Sequence, residues 1–145
     1  MPSRTSATTP SNLTVVKGIV AAFETGDLPG LLHALSPDVE WRVGGPDSVP
    51  YAGTRRGREQ VKHFFEELSR VVEFQRFEPQ TFISEGETVV VLGQEKLLVR
   101  AGRQAIENDW VMVFTLRKGQ VAAFRQFSDT AALAAGFAGA QHGGR

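Results

Sequence analysis

Asp129 stands where an apolar strand gives way to a helix, in "FRQFSDTAALAAGF", residues 124–137. An acid there has two uses. It can cap the helix by accepting from its first amides, or its carboxylate can face a pocket at the strand end and move a proton. The two are compatible, and the sequence leaves both open. Asp109 is a second acid in a β context. Strict alternation puts Asn108, Trp110, Met112 and Phe114 on one face of that strand, and Glu107, Asp109, Val111 and Val113 on the other. Trp41 and Trp110 each carry one N–H donor on a large apolar ring. Such rings suit the wall of a pocket for a flat apolar ligand, and equally suit core packing.

Other reactive types are sparse. His33, His63 and His142 form no cluster with metal-ligand spacing, so no metal is expected. Arg55, Arg56 and Arg58 form a basic run before a helix, a place where positive charge opposes the helix dipole, and a solvated run is the expectation. No Gly-rich phosphate loop follows a strand, and no cofactor is expected. The absence of cysteine excludes disulfides, thiol catalysis and Cys-type zinc sites.

The elements that must position these groups fall into two halves. Leu13, Val16, Ile19, Val20 and Phe23 recur at helical spacing behind Ser11, and Gly26 ends that helix. Asp27 caps a short second helix, "LPGLLHAL", with Pro29 in its first turn. "DVEWRV", 38–43, reads as a short strand before a Gly/Pro loop. A third helix over 58–72 carries a wide apolar stripe of Val61, Phe64, Phe65, Leu68, Val71 and Val72. The back half is rich in β-branched and aromatic residues, broken by short Gly-containing turns at 85–87, 101–103 and 117–120. Helices followed by an antiparallel meander give an α+β fold with helices on one face of a sheet.

Length and composition agree with one domain. The chain has 145 residues, 41% of them hydrophobic. Sixteen basic residues balance sixteen acidic ones, which argues against nucleic acid as a partner. Residues 1–10 lack the apolar core of a signal peptide, and no apolar run nears the roughly 18 residues that cross a membrane. The expectation is a cytoplasmic protein without a membrane partner. Residues 1–10 and 138–145 read as loose tails around a domain at 11–137.

"VVKGIVAAFETGDLPGLLHALSPDVEWRV", "GREQVKHFFEEL" and "NDWVMVFTLRKGQVAAFRQFSDTAAL" together resemble the nuclear transport factor 2-like superfamily, in its SnoaL-like, polyketide cyclase-like branch. The likeness covers roughly residues 12–133. It implies a cone-shaped α+β barrel: three N-terminal helices packed on a strongly curved, mainly antiparallel sheet around a pocket, usually as a homodimer. It also implies that function must be argued from the site, since this fold hosts isomerases, cyclases, hydrolases and binders.

The resemblance assigns positions. The steroid isomerases of the superfamily use an Asp base and an oxyanion hole of Tyr and protonated Asp. Those positions fall here on Val43, Ile19 and Met112, none of which transfers a proton. The Met112 face should then line the pocket, together with Trp110, while Asp109 faces outward. Limonene-epoxide hydrolases are similar at the last strand, where their water-activating Asp falls on Asp129. Their Tyr and Asn fall on Trp41 and Val43, and their second acid and its Arg on "GQEKL", where Glu95 and Lys96 could pair. Tyr51 sits in the loop expected at the pocket mouth.

The expectation is therefore a SnoaL-like protein that binds a small, largely hydrophobic molecule in a pocket lined by Ile19, Trp41, Val43, Tyr51, Trp110 and Met112, without steroid isomerase-type catalytic residues. An enzyme using Asp129 as acid/base, cyclase-like or epoxide hydrolase-like, is the first alternative. A non-enzymatic dimeric interaction module is the second.

Overall fold

The computed structural model describes residues 10–143. Helix α1 spans Asn12–Thr25, capped by the Ser11 hydroxyl, which accepts from the Thr14 amide at 3.1 Å. Gly26 ends it in the left-handed region at φ 78°, a conformation that costs glycine nothing. Asp27 then caps α2, Leu28–His33, by accepting from the Gly30 amide at 3.0 Å. Both caps are where the sequence placed them.

Strand β1, Leu35–Val43, starts three residues earlier than expected and includes Pro37. It runs parallel to β6 with a register shift between Leu35 and Glu40, and that irregular stretch is what tolerates a proline in a sheet. Strand β2, Gly53–Arg56, was read from the sequence as loop and helix start; it exists because "GTRR" pairs antiparallel with β1, Trp41 opposite Arg55. Helix α3, Gly57–Val71, follows at once, with Gln60 accepting from the Arg56 amide at 2.8 Å.

The meander consists of β3, Val72–Glu85, β4, Thr88–Val99, β5, Gln104–Arg117, and β6, Gln120–Ser128. Its hairpin turns fall at the three expected breaks. Strand order is β2-β1-β6-β5-β4-β3, mainly antiparallel, in one curved six-stranded sheet. Helices α1 and α3 lay their apolar stripes into its inner face: Val16, Ile19 and Val20 from one, Val61, Phe64 and Leu68 from the other, all buried. Burying each such side chain is worth about 1.5–3 kcal/mol.

Helix α4, Thr130–Gly143, covers the inner face near β5. Leu133 and Phe137 are buried in the core. Gly136 lies so close to Ile106 that a Cβ there would stand 2.2 Å from Ile106 Cδ1. The stretch from 138, expected to fray, continues this helix to Gly143; residues 1–9 and 144–145 lie outside the described residues. Among the described residues, no helix is long and apolar enough to cross a membrane.

Candidate functional site

The cone encloses a small chamber of about 50 Å³. Its walls come from α1 (Ile19), β1 (Trp41, Val43), the β1–β2 loop (Tyr51), α3 (Phe64), and the inward rows of β5 and β6 (Met112, Phe114, Phe124, Gln126). Five of the residues expected at a pocket therefore converge: Ile19, Trp41, Val43, Tyr51 and Met112. Trp41 stacks on Phe124 with ring centroids 3.8 Å apart, and its buried Nε1–H has no protein acceptor.

Trp110 is a correction. It is buried on the inward row of β5, yet it is not on the chamber wall. Its ring lies over Gly93, where a Cβ would meet Trp110 Cζ2 at 2.4 Å, and it stacks on Phe77 at 5.0 Å. Packing against a neighbouring glycine and a phenylalanine takes up the faces that a ligand would need.

The carboxyl at the chamber is Glu95. Alternation along β4 turns Val89, Val91, Gly93, Glu95 and Leu97 inward, and Gln94 and Lys96 outward. Glu95 and Lys96 thus point to opposite faces and make no pair. Glu95 is only 4% exposed. Its register partner across β5 is Asn108, also buried, whose Nδ2 donates to Glu95 Oε2 at 2.5 Å. The Asn108 Oδ1 accepts from the Asp129 backbone amide at 2.7 Å. That second bond fixes the orientation of the Asn108 amide: only its carbonyl can take an N–H, so the NH₂ must face Glu95.

Burial dominates the titration of this group. Removal from water disfavours the carboxylate and pushes Glu95 up to about 7, against a smaller downward pull from the Asn108 hydrogen bond. Tyr51 is raised as well, chiefly by burial and further by the Glu95 charge. Its phenol remains a donor throughout the neutral range.

Asp129 has a different place. Its Oδ1 accepts from the Ala132 amide at 3.1 Å, a helix N-cap, and the residue is exposed. It lines a separate polar pocket of about 220 Å³ with Arg76, Gln94, Glu107 and Asp109. Glu95 and Asn108 line that pocket as well, so Glu95 stands between a largely apolar chamber and a polar one. What Asp129 supplies to the chamber is its backbone N–H, through Asn108. Among the described residues, no group of three or more His, Asp or Glu side chains is arranged to hold a metal ion.

The carboxyl on the chamber wall is thus one that the sequence did not single out, while Asp129 lies at the neighbouring polar pocket. The signal for Glu95 was present: it is a charged residue in an otherwise apolar alternating row, "VVVLGQEKLLV". Asn108 was on the face expected to line the pocket, but its bonds to Glu95 and to the Asp129 amide depend on cross-strand register; Gln126 carried no such mark.

The model of the SnoaL-like domain family matches residues 16–124. An NTF2-like protein from Burkholderia xenovorans LB400 is 36% identical over 87% of this chain and 95% of its own, with a TM-score of 0.80. An NTF2-like protein of unknown function from Burkholderia pseudomallei K96243 is 31% identical over 88% and 98%, with a TM-score of 0.79. TerC, co-crystallised with polyporic acid, is 26% identical over 88% and 98%, also with a TM-score of 0.79. Among curated proteins, none matches the chain.

Proposed function

Since the chain belongs to the SnoaL-like family, we propose that it takes a small, flat, largely hydrophobic molecule into the cone and moves a proton on it with Glu95. One observation carries this reading: a buried carboxyl with a pKa of about 7 on the wall of an otherwise apolar chamber. A group poised near neutrality is both acid and base at working pH, which is what proton transfer at a carbon beside a carbonyl requires. In that step the Glu95 carboxylate takes the carbon-bound proton. The Tyr51 phenol, on the same wall, donates a hydrogen bond to the oxygen that gains charge, and Glu95 returns the proton to the product. The unpartnered Trp41 Nε1–H is a further donor for a ligand oxygen.

The polyporic acid complex of TerC makes that compound the first ligand to try. Glu95→Gln keeps the shape of the wall and removes the proton. The expected result is retained binding with turnover lowered at least 100-fold, the usual weight of a general acid/base. Unchanged turnover would discard Glu95 as the catalytic residue. Hydrophobic, non-steroid-isomerase character at Ile19, Val43 and Met112 supports the second reading, a binder without catalysis. Tight binding by the wild-type protein with no conversion of any bound carbonyl compound would favour it.

The outer sheet face supports a homodimer as the assembly. Leu92, Val111 and Phe127 are cross-strand neighbours there, with Phe127 47% exposed, and Ile83, opposite Val90 on the edge strand β3, is 52% exposed. Phe127→Lys is expected to turn a dimer into a monomer in sedimentation velocity without lowering chain stability by more than about 0.5 kcal/mol. A wild-type protein that sediments as a monomer would refute the assembly.

A further inference from the structure

The chamber is too small for any organic ligand as it stands. About 50 Å³ is room for a water molecule or two, whereas a cavity that admits benzene is about 150 Å³. Some wall must therefore move. Most walls are strands of a hydrogen-bonded sheet or the fully buried faces of α1 and α3. One wall is different. On its far side lies an open vestibule of about 580 Å³, between the end of α1, α2, the end of α3 and the start of β3. The partition is made of Phe23, Phe65, Phe74 and Phe77 with Leu31 and Leu68, which line both spaces.

The four phenylalanines of that partition are half-buried. Phe23 is their hub, at 6.0 Å from Phe65, 5.2 Å from Phe74 and 4.9 Å from Phe77, mostly edge-on. Edge contacts between rings contribute about 0.5–1.5 kcal/mol each, small enough to break and re-form. The position of Phe23 adds to this: it lies in the last turn of α1, directly beside the vestibule. Phe74 borders the irregular pairing of β3 with β4 between Phe74 and Arg76. The vestibule beside these rings is the free volume into which they can turn. By contrast, Phe77 is held by its stack on Trp110.

We propose that the ligand site is bipartite, with Phe23 as the gate between its parts: the ring end of an elongated, largely apolar ligand enters the chamber, and its remainder lies in the vestibule. The vestibule volume alone is in the range of drug-sized pockets. Its floor is apolar and its rim charged, by Glu24, Glu66, Glu73, Arg76 and Arg100. Arg100 is engaged there, through Nε on the Ser69 carbonyl at 3.0 Å and Nη1 near Glu73 at 3.6 Å. The floor therefore selects apolar length rather than charge. This inference rests on the cone being the binding site, as proposed above, but the gate can be tested without any ligand.

The test is acrylamide quenching of the full chain's tryptophan fluorescence, with Trp41 as reporter on the chamber wall. Phe23→Ala is expected to raise the quenching constant of one tryptophan component at least threefold, and Phe23→Leu, the milder change that keeps the core filled, to raise it by less. Ser69→Cys, alkylated with a benzyl maleimide, places a plug in the vestibule of a protein that has no other cysteine, and should lower the constant below that of the wild type. Near-UV circular dichroism confirms that each variant is folded. If folded Phe23→Leu and the plugged protein both quench like the wild type, the gate is overturned. If quenching responds as expected but neither polyporic acid nor 1-naphthol binds, the gate stands and the proposed binding function falls.

Discussion

Glu95 and Asp129 sit on either side of one asparagine, and their surroundings give them opposite properties. Glu95 is on a central strand, turned inward, and has lost its water. Asp129 is at a strand end, where α4 begins, and keeps its solvent while it holds the Ala132 amide. Asn108 bonds to both, to a side-chain oxygen of Glu95 and to the backbone N–H of Asp129. A pKa near neutrality thus comes from burial, while the acid at the helix start is engaged as its cap.

The largest effect that would break this contrast is at Glu95 itself. Its folded pKa of about 7 lies above the ordinary 4.5, so the folded state keeps a proton that the unfolded chain releases. Stability from this group is present below pH 4.5 and is lost as pH rises through 7. The ionised form then costs roughly 3 kcal/mol. Glu95→Gln is expected to be about 3 kcal/mol more stable than the wild type at pH 8 and nearly equal to it at pH 4, by urea denaturation. Parallel curves for the two proteins across that range would show that Glu95 is hydrated after all.

Asn108→Leu should have an intermediate effect. It leaves the Asp129 amide without its acceptor and Glu95 without its donor. About 2 kcal/mol of stability should be lost, the cost of stranding partly buried polar groups. The Glu95 midpoint, followed by carbon-13 NMR of labelled glutamate, should climb above 7, because the Asn108 hydrogen bond that favours its carboxylate is gone. A midpoint that stays in place would mean that Asn108 does not position or tune the acid.

The smallest effect sharpens the other side. Asp129→Ala removes a cap and should cost about 1 kcal/mol, with the Glu95 midpoint unmoved, since the Asp129 backbone N–H is retained. A shift of that midpoint comparable to the one from Asn108→Leu would mean that the Asp129 carboxylate belongs to the site.

Much of the fold was legible in the chain. Ser11, Gly26 and Asp27 mark their helix ends through local chemistry that needs no tertiary partner. The three Gly-containing turns set the meander, and Lys118–Gly119, both at positive φ, form the kind of tight turn that suits twisted antiparallel strands. The pocket wall was legible in part, because the family resemblance set Ile19, Trp41, Val43 and Met112 at pocket positions. Strand β2 was hidden, since "GTRR" has no strand pattern and becomes one only beside β1.

Period-two alternation put Asn108 and Trp110 on one row with Met112, and the family resemblance turned that row inward; the row of Glu95 was settled only by the sheet register. Alternation could not say what each would meet there. Sheet curvature and the helices laid across it sealed Glu95 from water and so moved its pKa. The glycine at 93, opposite Trp110 across the β4–β5 ladder, drew the indole down and out of the chamber. Register over twenty-one residues brought Asn108 to the Asp129 amide. Local sequence determines which side chains share a face; what that face meets, and therefore its chemistry, is decided by chain segments far away.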